Sequence, residues 1–168
     1  WITGVNTLFN ALLNERWFTD SPPKHLVASA AGGMALHESV ATLWREVTGT
    51  PIVEGYGLTE SSPVLTFNPL GGLGKDGSIG IPVPSTDIDC VDDNGKSVQT
   101  GESGELIAKG PQIMQGYWQR PEETRDSLRE GWLHTGDIAT MDSDGYFTIV
   151  DRKKDMILVS GFNVYPNE

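Results

Sequence analysis

The sequence predicts an α/β fold that gives way to a small β-rich part. Apolar residues at helical spacing alternate with short apolar runs before residue 56, and glycine- and proline-rich residues 68–84 interrupt that pattern. Beyond them the pattern becomes β-rich, with Asx-Gly turns between the segments. Val5, Leu8, Phe9, Leu12 and Leu13 predict an amphipathic helix over 4–16, with Trp1 already inside a helical segment. Ser21-Pro22-Pro23 breaks it. Residues 25–30 read as a short buried strand, turned by Gly32-Gly33. Leu36, Val40, Leu43, Trp44 and Val47 mark a second helix that Gly49 closes. Residues 51–55 form the next strand, so strand, helix and strand make a βαβ unit with a parallel sheet.

Beyond residue 84, segments 86–91 and 104–109 read as strands around an Asp93-Asn94-Gly95 turn. Pro121 starts a short helix. Residues 138–141 and 146–150 form a hairpin over Ser143-Asp144-Gly145, and 156–159 is a further strand. The organisation expected is an α/β part over 1–68, a β-rich part over 69–151, and the beginning of another unit from 152 to 168.

The formal charge is −11, from 12 Lys+Arg against 23 Asp+Glu. Such an acidic chain argues against a nucleic-acid groove, which needs a basic face. A small anionic ligand stays compatible, because a local cation reverses the field. Cys90 is the only cysteine, so no intramolecular disulfide forms, which fits a reducing cytoplasm. No apolar run approaches the roughly 18 residues of a membrane span. With no initiator Met at Trp1 and a helix-start proline, Pro166, just before the last residue, the chain reads as an internal piece of a longer protein.

Three segments carry chemistry. In Tyr56-Gly57-Leu58-Thr59-Glu60-Ser61, glycines at 55 and 57 let backbone approach a ligand. Tyr56 can lay its ring on a base, Thr59 can donate to a phosphate, and Glu60 can hold magnesium through oxygen. Ligands of parallel sheets sit beyond the strands' carboxyl ends, where this segment leaves its strand. The plainer alternative is a strand exit with a solvated glutamate. In Trp132-Leu133-His134-Thr135-Gly136-Asp137, Asp137 just before a strand suits the paired hydroxyls of a ribose, or is a turn aspartate. In Asp151-Arg152-Lys153-Lys154-Asp155, Arg152 can bind a ribose or phosphate oxygen, or make a surface ion pair.

Other patterns lead nowhere. Gly72-Leu73-Gly74-Lys75-Asp76-Gly77 matches a dinucleotide fingerprint but follows no strand and opens no helix. Gly74-Lys75 is followed by Asp76, so there is no Walker loop. Asp142, Asp144 and Gly145 suit a hairpin turn better than a calcium loop, and His25, His37 and His134 lack metal-ligand spacing. Cys90, Trp44, Trp118 and Trp132 are expected to pack.

Taken together, residues 54–60, 131–137 and 151–168 resemble the motifs of the adenylate-forming superfamily, and most closely its bacterial long-chain fatty acyl-CoA synthetases. Residues 2–13 and 110–121 look like the same branch, so the similarity covers essentially the whole chain. The resemblance implies part of a large adenylate-forming N-terminal domain, then a small distorted β-barrel, then a hinge into a small C-terminal domain. It implies a parent enzyme that converts a long-chain fatty acid through an acyl-adenylate to acyl-CoA, with ATP/AMP, Mg2+ and coenzyme A. Tyr56 would stack on adenine, with Gly33, Met34 and Gly55 lining the base and Gly57 among the cofactor-binding residues. Thr59 would contact the α-phosphate, Glu60 would hold magnesium, and Asp137 with Arg152 would bind the ribose. Lys154 would be the hinge residue, and Ser160, Gly161 and Phe162 would line the pantetheine channel. Where many relatives have Gly-Gly-Ala-Pro, this chain has Gly32-Gly33-Met34-Ala35. A phosphate loop upstream and a catalytic lysine downstream are expected outside residues 1–168. A cytoplasmic enzyme is implied, with peripheral contact at the inner face of the membrane as a further expectation; oligomeric state is not encoded. The alternatives left open are a nucleotide-binding module without activity, a carrier-protein-loading adenylation domain, and a luciferase-like oxygenase.

Overall fold

The computed structural model describes residues 1–71, 73–152, 157–159 and 162–164. Strands β1 (Ile2–Gly4), β2 (Ser29–Ala31) and β3 (Ile52–Gly57) lie side by side and parallel. Two strands extend this sheet antiparallel, β4 (Val64–Phe67) and β5 (Ile81–Pro82), in the order β1-β2-β3-β4-β5. Helix α1 (Asn6–Leu13) follows β1, and α2 (Arg16–Thr19) adds one turn. Helix α3 (Glu38–Thr48) joins β2 to β3 and ends on Gly49 at φ 72°, the left-handed conformation that glycine adopts without steric cost. The expected βαβ unit is therefore present.

These helices cover the parallel strands through one apolar cluster of Phe9, Leu13, Phe18, Ala31, Val40, Trp44 and Ile52. Trp44 is fully buried. Phe9 meets its ring edge-on at 4.8 Å, Phe18 stacks on it at 5.2 Å, and its Nε1–H donates to Ser29 Oγ at 3.1 Å. A buried indole needs such an acceptor to avoid an unpaired donor.

The second sheet is antiparallel, in the order β10-β9-β7-β6. It comprises β6 (Asp87–Val91), β7 (Gly104–Lys109), β9 (Trp132–Met141) and β10 (Phe147–Arg152). Helix α4 (Pro121–Ser127) leads into the short β8 (Leu128–Arg129), which pairs with β9. Asp92 and Asp142 each accept backbone N–H bonds within their turns, with Gly95 and Gly145 at positive φ, as the Asx-Gly signals predict. Leu65, Cys90, Leu106, Ala108, Ala139 and Phe147 form the second core cluster. Leu65 belongs to β4, and Gly80 bridges Phe147, so the two sheets are joined there. A separate pair, β11 (Ile157–Val159) and β12 (Phe162–Val164), is antiparallel.

Several expectations need correction. Trp1 and Ile2 precede the helix, and Ile2–Gly4 is a strand; the helix expected over 4–16 is Asn6–Leu13. A three-residue edge strand shows too little alternation to compete with the helical spacing that begins at Val5. The strand expected at 25–30 begins only at Ser29. Val64–Phe67 is an additional strand. Trp118 does not pack but is 88% exposed. Asp137 lies inside the ten-residue β9 rather than ahead of a strand. No helix among the described residues is long and apolar enough to cross a membrane.

Candidate active site

The carboxyl ends of β2 and β3 form one side of the site. Gly33, at φ 80°, and Met34, half exposed, follow β2. A Cβ on the preceding Gly32 would lie 3.3 Å from the Gly55 carbonyl, so this loop runs against β3. Gly55 itself is held close to Phe67, whose Cδ2 would be 2.6 Å from an added Cβ. Gly57 is more constrained still, since a Cβ there would fall 1.7 Å from the Pro63 carbonyl oxygen. Gly57 thus has a packing role in addition to the ligand approach expected of it.

The chain then tightens into a 3₁₀ turn at Thr59–Ser61. Buried Ser61 fastens it, its hydroxyl accepting the Leu58 N–H at 2.9 Å and donating to the Pro63 carbonyl at 2.7 Å. That leaves Thr59 exposed and Glu60 partly exposed. Glu60 Oε1 accepts a 2.6 Å hydrogen bond from the phenol of Tyr117, and Met114 N–H donates to the Glu60 carbonyl at 2.8 Å. Tyr117 was not singled out by the sequence; the contact joins segments 57 positions apart, and local pattern carries no sign of it.

The other side comes from the second sheet. Asp137 is 6% exposed, and its Oδ2 accepts a 2.5 Å hydrogen bond from the Tyr56 phenol across 81 positions of sequence. Arg152 sits opposite Asp137 in the β9–β10 ladder, with Nε 3.4 Å from Oδ1 and a side chain 62% exposed. Burial, followed by the neighbouring Asp137 charge, pushes the Tyr56 phenol far above its ordinary value, so it remains a donor. Each carboxylate oxygen can accept more than one hydrogen bond. Tyr56 and Arg152 therefore leave acceptor capacity on Asp137 for paired hydroxyls.

The structure thus brings Gly55, Tyr56, Gly57, Thr59 and Glu60 onto one strand exit, sets Gly33 and Met34 beside it, and ties Asp137 and Arg152 to it through Tyr56. Of the remaining sequence candidates, Lys154, Ser160 and Gly161 lie outside the described residues, and Phe162 opens β12. Among the described residues no group of three or more His, Cys, Asp or Glu could hold a metal ion. A lone carboxylate beside a hydroxyl fits magnesium in its usual mode, which takes one or two protein carboxylates and completes its shell with water and substrate phosphates. Thr135 also escaped the sequence reading. Its hydroxyl accepts the Asp137 N–H at 3.1 Å, an i to i+2 relation that serine and threonine often make beside a turn.

A run of parallel strands with a tyrosine at the carboxyl end of one of them, hydrogen-bonded to a carboxylate of the neighbouring sheet, belongs to the class that binds ligands at such ends. The AMP-binding enzyme family matches residues 1–118. The chain belongs to that family. It is 60% identical over 167 residues to the long-chain-fatty-acid–CoA ligase of Yersinia pestis, covering 99% of this chain and 30% of that protein. Among solved structures, ATP-bound MatB from Rhodopseudomonas palustris superposes with a TM-score of 0.89 at 34% identity, over 98% of this chain and 33% of that one. The O-succinylbenzoate coenzyme A synthetase of Bacillus subtilis, solved with ATP and a magnesium ion, gives 0.86 at 32% identity, over 98% and 34%. The chain therefore spans about a third of the length of the relatives it matches.

Proposed function

We propose that this chain is the nucleotide-binding centre of an AMP-forming acid–thiol ligase that activates a long-chain fatty acid to its coenzyme A thioester. The observation that carries the reading is the Tyr56–Asp137 hydrogen bond, which unites the strand exit with the second sheet at one place. The 60% identity to a long-chain-fatty-acid–CoA ligase supports the substrate class.

In the first half-reaction, a carboxylate oxygen of the fatty acid attacks the α-phosphorus of ATP and the bond to pyrophosphate breaks. In the second, the coenzyme A sulfur attacks the acyl carbonyl, its proton is lost, and AMP departs. The residues here position rather than react. Tyr56 offers its ring to adenine, flanked by Gly33, Met34 and Gly55. Asp137 and Arg152 hold the ribose, and Thr59 donates to the α-phosphate. Positioning of this kind converts an encounter into an aligned attack. Glu60 is the residue to hold magnesium, which when bound neutralises charge developing on phosphate.

Residues 152–168 form, in this reading, the hinge toward a small C-terminal domain, with Lys154 as pivot and Ser160, Gly161 and Phe162 on the pantetheine path. The activity is placed in the cytoplasm, where ATP and coenzyme A are available, with peripheral contact at the inner membrane face to reach a lipid substrate.

The test uses a full-length protein carrying this chain. Glu60→Ala is expected to reduce fatty-acid-dependent ATP–pyrophosphate exchange by roughly a hundredfold, and exchange at the wild-type rate would refute the assignment. Adding coenzyme A to the wild-type protein is expected to give acyl-CoA. Adenylate that accumulates without thioester would point instead to a carrier-protein-loading domain.

A further inference from the structure

The ladder between β7 and β9 is interrupted where the Asp137 motif lies. Glu105 pairs with Ile138 and Ile107 with His134, so one β7 residue, Leu106, faces three on β9: Thr135, Gly136 and Asp137. Surplus residues that leave a ladder bend the strand and re-aim side chains, and such bulges concentrate beside active sites. They also strip backbone groups of their strand partners, and a buried backbone group left unpaired is costly.

Side chains take over that duty here. The Thr135 hydroxyl donates to the Leu106 carbonyl at 2.7 Å while its oxygen accepts the Asp137 N–H. Gly136, at φ 73°, donates its N–H to Glu105 Oε1 at 3.3 Å. Glu105 is 7% exposed, and its Oε2 lies 3.3 Å from His134 Nδ1, out of line for a hydrogen bond. A carboxylate so deeply buried persists only where polar partners compensate it. Its partners here include the N–H of Gly136, in the segment that carries Asp137.

We propose that Glu105 and Thr135 are positioning residues for Asp137: they brace the β9 bulge, so that the carboxylate is held toward Tyr56 and the nucleotide. Neither need touch the ligand. Glu105 grips the loop through Gly136, Thr135 grips it through Asp137 N–H, and Tyr56 and Arg152 hold the carboxylate at its far end. The inference rests on the reading of Asp137 as the ribose-binding carboxylate.

Calorimetric titration with AMP, together with kcat and KM for ATP in pyrophosphate exchange and thermal unfolding, tests it in a full-length protein. Glu105→Ala and Thr135→Val are each expected to weaken AMP about tenfold and to raise KM for ATP in step. The change in kcat should stay below about threefold, because the bonds serve nucleotide placement. Glu105→Gln and Thr135→Ser, which keep the acceptor and the hydroxyl, should remain within about threefold of wild type. In an Asp137→Ala background, Glu105→Ala should add less than about twofold, since coupled residues are not additive.

The proposal is overturned if Glu105→Ala and Thr135→Val lower the melting temperature but leave AMP affinity intact. It is equally overturned if Glu105→Ala costs the same factor with and without Asp137. Should Glu105→Ala fail to fold, the Val and Ser variants at 135 decide the matter. If Asp137→Ala alone leaves AMP binding unchanged, the ribose assignment itself is what fails.

Discussion

A phenol and a carboxylate that meet at 2.5 Å, with the carboxylate almost wholly buried, depend on each other. Hydrogen bonds to a charged group are worth about 1.5–3 kcal/mol, or one to two decades in binding. Asp137→Ala is therefore expected to weaken AMP about ten- to hundredfold in calorimetric titration. Tyr56→Phe keeps the ring but removes the donor, so it should cost less, about three- to tenfold. Because burial and the Asp137 charge raise the Tyr56 phenol above its ordinary value of about 10, it stays protonated there. AMP affinity should accordingly show no tyrosine titration as pH approaches 10, and a fall in affinity centred below that value would contradict the pairing. Glu60 sits differently: its partner, Tyr117, is more exposed, so its carboxylate remains accessible to a cation.

The strand exits are set by close backbone contact. At Gly57 any side chain would overlap the Pro63 carbonyl, and neither backbone segment can give way without opening the 3₁₀ turn that presents Thr59 and Glu60. Gly57→Ala is expected to destabilise by about 3 kcal/mol, read as a lowered melting temperature with loss of pyrophosphate exchange. The loop that follows β4 is tied to the β9–β10 turn by Lys75, whose Nζ lies 2.5 Å from Asp142 Oδ2 and 2.6 Å from Asp144 Oδ2, over the Tyr146 ring. The hydrogen bond from Lys75 holds the Asp142 carboxyl below the usual range, and the bond to Asp142 raises the Lys75 ammonium. A depressed acid contributes stability above its unfolded value of about 3.9, lost as pH falls through the folded value; a raised base contributes below about 10.4, lost as pH climbs through its own. The tie is thus complete between those limits. Lys75→Ala should speed hydrogen exchange in this loop at neutral pH, and the difference from wild type should vanish in strong acid. A difference that persists there would mean the loop is held by something else.

Across the whole molecule, two apolar clusters support the two sides of the site. Trp44 anchors the first, and Trp44→Ala is expected to lower stability by about 3–5 kcal/mol in urea unfolding of the full-length protein. A cost under 1 kcal/mol would show that the cluster does not bear on stability. The second cluster draws Leu65 from β4 into the core beneath β6, β7, β9 and β10, which is how a strand of one sheet comes to orient the other. Much of this was legible locally. Helix α3 and its Gly49 cap, the parallel β2–α3–β3 unit and the Asx-Gly hairpins follow from apolar spacing and from turn residues with a mechanism of their own. The glycine-flanked Tyr56 and the Asp137 that follows Gly136 stood out as candidates for the same local reason. Strands of three residues, such as Ile2–Gly4, are too short to show a period, and their pairing partners lie some 27 positions away in register with Ser29. The Tyr117–Glu60 contact, the bulge opposite Leu106 and the burial of Glu105 depend on register between distant strands, which no window of sequence contains. Residue identities determined which groups could serve a nucleotide. Only the packing of one sheet against the other decided that Tyr56 and Asp137 would meet, because a hydrogen bond between side chains 81 positions apart exists only once both sheets have formed.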